Sequence, residues 1–169
     1  MHRLLRRKFR SARRLTALEW RLFAAALVWL PATSLALRVA GFKRTNRLLT
    51  ALVPARAEWD GDAASAYATA AARMVRLAAV RGLTRPLCLP RSLVLWFLLH
   101  RRRIDARLHM GVRQLDGTLD AHAWVEWGAF VLNDRRNVRS RYAVFDRLEL
   151  AELLTRTRGP AHAAGSLAK

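Results

Sequence analysis

The sequence predicts an α+β protein, a helical N-terminal half followed by a central helix that carries a cysteine and packs on an antiparallel sheet. Three observations carry that prediction. Residues 1–53 read as helical throughout, an almost wholly apolar run opens at Cys88, and from Ala106 the hydrophobic period drops from helical to two. With 169 residues and 53% hydrophobic side chains the chain can bury a core, which argues against global disorder. The expected organisation is a helical extension over residues 1–57, a core over 58–154 and a loose tail over 155–169.

The first element begins basic on most faces, from Arg3 to Arg14, and turns apolar from Leu15 to Leu30. Pro31 should end or kink it, since proline removes a helical hydrogen bond. A second piece, Thr33 to Val53, places Leu35, Val39, Phe42 and Leu49 on an apolar side, and Pro54 closes it. The uncharged stretch Leu22–Leu37 spans sixteen residues, short of the roughly 20 a membrane span needs. A packing or interfacial helix is expected there, so contact with a membrane surface stays open.

After the polar break Glu58-Trp59-Asp60-Gly61-Asp62, a small-residue helix should run from Ala63 to Val80, with Tyr67, Ala70, Met74 and Leu77 as its buried stripe. Arg81-Gly82 stops it, and Leu83-Thr84-Arg85-Pro86 links it to the next helix. That helix, Cys88 to about His100, is apolar nearly all round and therefore central. Pro90 suits its first turn, and Arg101-Arg102-Arg103 suit the negative end of its dipole.

The sheet follows. Ala106, Leu108, Met110 and Val112 alternate with Arg107, His109, Gly111 and Arg113, and Asp116-Gly117 signals a turn. Leu119–Trp127 is the second strand, with His122, Trp124 and Glu126 sharing one face. Gly128 turns the chain, and Ala129–Asp134 forms the third. A basic loop from Arg135 and a short amphipathic helix near Asp146–Leu154 complete the pattern.

Net charge of +19, from 31 Lys+Arg against 12 Asp+Glu, would suit an anionic partner. The basic residues are spread along the chain, clustering only at Arg3–Arg14 and Arg135–Arg141, and zinc-finger spacing, RNA-binding aromatic strands and a P-loop are all missing. No nucleic-acid partner, cofactor or metal is expected. The lone cysteine cannot form an intrachain disulfide, and no signal-peptide pattern is evident, so a cytoplasmic location is expected.

Cys88, His122 and Asp134 supply a thiol, an imidazole and a carboxylate, the parts of a nucleophile, a base and an orienting group. A helix start favours the thiolate form of a cysteine placed there. If the hairpin turn centres on Gly128, His122 and Asp134 fall opposite each other, about 4.5–5.5 Å apart at Cβ. A two-residue turn would spoil that match. Glu126 and Asp120 are competing carboxylates, roughly 13 Å and 7 Å along the strand from His122.

The blocks Cys88-Leu89-Pro90-Arg91-Ser92-Leu93, Arg101-Arg102-Arg103-Ile104-Asp105-Ala106, Met110-Gly111-Val112-Arg113 and Ala121-His122-Ala123-Trp124-Val125-Glu126 resemble the lasso-peptide leader peptidases. These are transglutaminase-like cysteine proteases of the microcin-processing family. The resemblance covers roughly residues 60–150 and implies a transglutaminase-like or papain-like core with Cys88 as nucleophile, His122 as base and Asp134 as third member. It implies removal of the leader from a ribosomally made precursor, before an ATP-dependent cyclase closes the macrolactam. Residues 1–53 lack the strands of a leader-recognition domain, which resembles the split form that works with a separate leader-binding protein. The rival expectations are another transglutaminase-like acyl-transfer enzyme and a non-enzymatic basic protein that binds nucleic acid or a membrane surface.

Overall fold

In the computed structural model, which describes residues 15–54, 61–82, 86–115 and 118–145, the first helix, α1 (Ala17–Ala51), opens on a capping box. Thr16 Oγ1 accepts from the Glu19 amide at 3.2 Å, and the Glu19 carboxylate accepts from the Thr16 amide at 2.9 Å. Two orphan amides of the helix start are thereby satisfied. Glu19 also pairs with Arg73 on α2 (Gly61–Arg81), tying the two helices together.

Pro31 does not end α1, against expectation. The backbone stays helical through it and breaks instead at Gly41, with φ 72° and ψ 175°. Proline here removes one hydrogen bond, at the Leu27 carbonyl, and both Leu27 and Pro31 lie on the exposed side where water can replace it. The opposite side, Leu22, Ala26 and Leu30, is locked into the core. Gly41 adopts the left-handed conformation at no side-chain cost, and Thr45 Oγ1 donates to its carbonyl at 2.8 Å as the helix resumes. The predicted apolar side was also misplaced: Leu49 is buried, but Leu35 and Val39 are 63% and 79% exposed.

In α2 the buried stripe runs through Ala64, Tyr67, Ala68, Ala71, Met74, Val75 and Ala78, and its alanines let neighbouring helices approach closely. Helix α3 (Cys88–His100) lies beneath both, with Leu93, Val94, Leu95, Phe97 and Leu99 fully buried. Phe97 packs on Trp29 of α1 at 4.7 Å between ring centroids. By length and composition α1 could cross a membrane, yet one side of it is spent on this core.

The antiparallel sheet has the order β3-β2-β1-β4, with β1 Arg107–Leu115, β2 Thr118–Trp127, β3 Phe130–Val131 and β4 Ala143–Phe145. A short helix, α4 (Val138–Arg141), precedes β4. Strands β1 and β2 pair from Leu115↔Thr118 to Arg107↔Glu126. Leu108, Val125 and Trp127 join the helical core, while Trp124 on the far face packs with Val138 and Tyr142 in a second, smaller cluster. The fold is thus α+β, with a helical N-terminal half and then an antiparallel sheet. Arg3–Arg14, Glu58–Asp60, Leu83–Arg85, the Asp116-Gly117 turn, the helix expected at Asp146–Leu154 and the tail from Thr155 lie outside the described residues.

Candidate active site

Cys88 is the first residue of α3, half-buried and free. Leu87 caps the helix in an extended conformation without a side-chain hydrogen bond. The Cys88 and Leu89 amides therefore have no intrahelical acceptor and no cap from the Leu87 side chain. Helix and sheet bring the thiol to the middle of β2, where Sγ lies 4.0 Å from the Ala121 carbonyl oxygen. The next residue is His122. Its imidazole Nε2 is in direct hydrogen-bond contact with Asp134 Oδ2, and both side chains are 21% exposed. His122 and Asp134 are brought together; the thiol is placed by its contact with the neighbouring Ala121 carbonyl and makes no hydrogen bond to the ring. With Nε2 engaged, Nδ1 is the nitrogen left for a second partner.

The pair forms by a route other than the expected one. Trp127↔Phe130 and Glu126↔Val131 are the observed partners, so the turn holds two residues, Gly128 and Ala129, with Gly128 at φ 55°. In that register His122 and Asp134 are not opposed. Pairing stops early: the Leu132 amide still donates to the Val125 carbonyl at 2.9 Å. The Val125 amide then donates at 2.8 Å to the side-chain Oδ1 of Asn133 rather than to backbone. A bend over 132–134 replaces the end of the predicted third strand, and that bend delivers Asp134 to the imidazole.

Aromatic rings flank His122. Tyr142 stacks on it at 5.0 Å and Trp124 at 6.1 Å between centroids. Gly111 sits opposite His122 on β1. A Cβ there would meet the Ala143 carbonyl oxygen at 2.8 Å and Trp124 Cη2 at 3.2 Å, so only glycine lets these groups close over the site.

Each ring has its own anchor. The Tyr142 hydroxyl donates to Asp120 Oδ2 at 3.0 Å, and Arg113 Nε donates to the same oxygen at 2.8 Å. The hydrogen bonds from Arg113 and Tyr142 hold the Asp120 carboxyl below its ordinary range. Burial pushes the Tyr142 hydroxyl up, and its bond to Asp120 acts the same way. Trp124 Nε1 donates to Glu126 Oε1 at 2.7 Å, and Arg139 pairs with the same carboxylate. The Arg139 hydrogen bond keeps Glu126 below the usual glutamate value despite its burial. Both competing carboxylates are thus committed to anchoring rings, and Asp134 is the one in contact with His122.

A cleft of about 830 Å³ runs beside Asp134 between α2 and the β3 loop, with Arg73, Arg76, Arg135 and Arg136 among its lining residues. Among the described residues no group of His, Cys, Asp or Glu is arranged to hold a metal ion. Reading by sequence missed Tyr142 and Asn133. Strand parity did put Trp124 on the His122 face, but nothing local signals a tyrosine twenty residues away in sequence.

A family model described as the transglutaminase-like superfamily matches residues 29–147, a stretch that contains Cys88, His122 and Asp134. No curated protein and no solved structure matches the chain.

Proposed function

From a chain that belongs to the transglutaminase-like superfamily, we propose a cysteine peptidase in which Cys88 is the nucleophile, His122 the base and Asp134 the orienting carboxylate. One observation carries the reading: the His122–Asp134 contact lies on β2 directly beside the residue whose carbonyl is 4.0 Å from Cys88 Sγ. Asp134 on Nε2 holds the imidazole and leaves Nδ1 as the ring nitrogen for a thiolate–imidazolium pair.

In this reading the Cys88 thiolate attacks the scissile carbonyl, forming a carbon–sulfur bond and a tetrahedral oxyanion. The Cys88 amide, uncapped at the positive end of α3, is placed to donate to that oxygen. The tetrahedral centre collapses, the carbon–nitrogen bond breaks, and the His122 imidazolium gives its proton to the leaving amine. Water, deprotonated by the now neutral imidazole, attacks the thioester and releases the acid with the thiol restored.

The substrate class is proposed from the resemblance of the Cys88 and His122 blocks: the leader segment of a lasso-peptide precursor, presented by a separate leader-binding protein and handed on to an ATP-dependent cyclase. A single free thiol is kept reduced most readily in a reducing compartment, and the cytoplasm is proposed. The uncovered apolar side of α1, with Leu27, Val28 and Leu35 between Arg21 and Arg38 and Val39 just beyond, is proposed as the surface that docks the leader-binding protein. Incubation of the chain with precursor and leader-binding protein should give one cleavage, read by mass spectrometry and lost in Cys88→Ala. Crosslinked products would instead support the acyl-transfer alternative, and no reaction at all would sink the peptidase.

A further inference from the structure

We infer that Ser92 and Asn133 are positioning residues that set Cys88 against His122 and steer Asp134 onto the imidazole. The inference rests on the reading of Cys88 and His122 as the reacting pair. Among the described residues, strand β2 pairs with β3 at Glu126 and Trp127, and one further backbone bond reaches the Val125 carbonyl from Leu132. Further back along that edge, three side chains stand where a neighbouring strand would be. Val125 N–H donates to Asn133 Oδ1 at 2.8 Å, Ser92 Oγ–H donates to the Ala123 carbonyl at 2.8 Å, and Cys88 Sγ faces the Ala121 carbonyl at 4.0 Å.

The spacing explains why a helix can do this. Cys88 and Ser92 are one turn apart on α3, about 6 Å along its axis. Ala121 and Ala123 are two residues apart on β2, about 6.6 Å. A helix laid along a strand therefore meets alternate carbonyls with every fourth residue. Fixing Ser92 on Ala123 fixes Cys88 on Ala121, next to His122.

Asn133 closes the clasp. Its Nδ2 donates to Ser92 Oγ at 2.8 Å, so the fully buried serine gives its one proton to Ala123 and receives one from the carboxamide. Every polar atom has one role, and none can be reversed: Asn133 Oδ1 must be the oxygen because it faces an N–H. Asn133 also precedes Asp134, so the clasp that holds α3 on β2 aims the orienting carboxylate as well. The isosteric change Asn133→Asp removes the donor; the new carboxylate would take the Ser92 proton and leave the Ala123 carbonyl without its partner.

Cys88 is the sole thiol in the chain, so alkylation by iodoacetamide, followed by mass spectrometry across a pH series, reads the site without any substrate. Ser92→Ala and Asn133→Asp should label at least roughly tenfold more slowly than wild type at neutral pH, within the loss a misplacement of about 1 Å brings. Their rate–pH profiles should shift toward that of His122→Ala. Ser92→Thr, which keeps the hydroxyl, should recover the profile in large part. Val94→Ala, equally buried on α3, should lower stability yet leave the profile in place. Wild-type profiles in Ser92→Ala and Asn133→Asp, with slow labelling only in His122→Ala, would overturn the clasp while sparing the catalytic pair. Labelling that His122→Ala leaves unchanged would overturn the pair itself.

Discussion

The face of the sheet toward α3 and the face that bears His122 are held by different forces. The first is dry: Leu108, Val125 and Trp127 merge with the side chains of three helices into one apolar core. The second buries a glutamate and the two rings that stack on His122, and each of those rings is oriented by a hydrogen bond to a carboxylate. Apolar packing is tolerant of direction, whereas the second face specifies it. The candidate chemistry sits on the border, with its thiol supplied by the dry side and its imidazole and carboxylate by the polar one.

That contrast can be broken from either side. Phe97→Ala empties a fully buried site against Trp29 and should cost about 3–5 kcal/mol in denaturant unfolding. Labelling of Cys88 in the molecules that remain folded should be unaffected. Gly111→Ala forces its new methyl against the Ala143 carbonyl and should cost about 1–3 kcal/mol. Here the labelling rate should fall as well, because Trp124 and Tyr142 must move off His122.

Glu126→Gln tests the polar face alone, with an expected loss of about 1–2 kcal/mol at neutral pH. The sign of the pH dependence follows from the lowered Glu126 and Asp120 carboxyls. Their ionised forms favour the fold, so the contribution is complete above the usual glutamate value of 4.5 and is lost as pH falls through the depressed folded values. Wild type should thus lose stability in acid, and Glu126→Gln should do so less steeply. Val28→Ser, on the exposed side of α1, should stay within about 0.5 kcal/mol.

Much of this was legible along the chain. Apolar character on all sides marked α3 as central, and period two marked β1 and β2, because both patterns are local records of burial. The trio was proposed from residue type, and His122 and Asp134 do meet, although by a bend rather than by cross-strand pairing. The errors came where a distant group overrides a local preference. Pro31 is tolerated because the far side of α1 is held by the core, and the break falls at Gly41. The third strand ends early because the Asn133 side chain takes a rung that backbone would have filled. Ser92 reads as an ordinary helix residue until the strand it touches is in place.

The occupied flank of β2 has a consequence for how polypeptides can approach. A second ribbon cannot zip along it, because the carbonyl and amide that would begin the new ladder are already bonded to side chains. Along the opposite border, β4 pairs with Met110–Val112 of β1 over the described residues Ala143–Phe145. Self-templated growth into fibrils is therefore blunted along the β2 flank. That flank offers no ready ladder, and the cleft beside Asp134 is lined instead by arginine side chains.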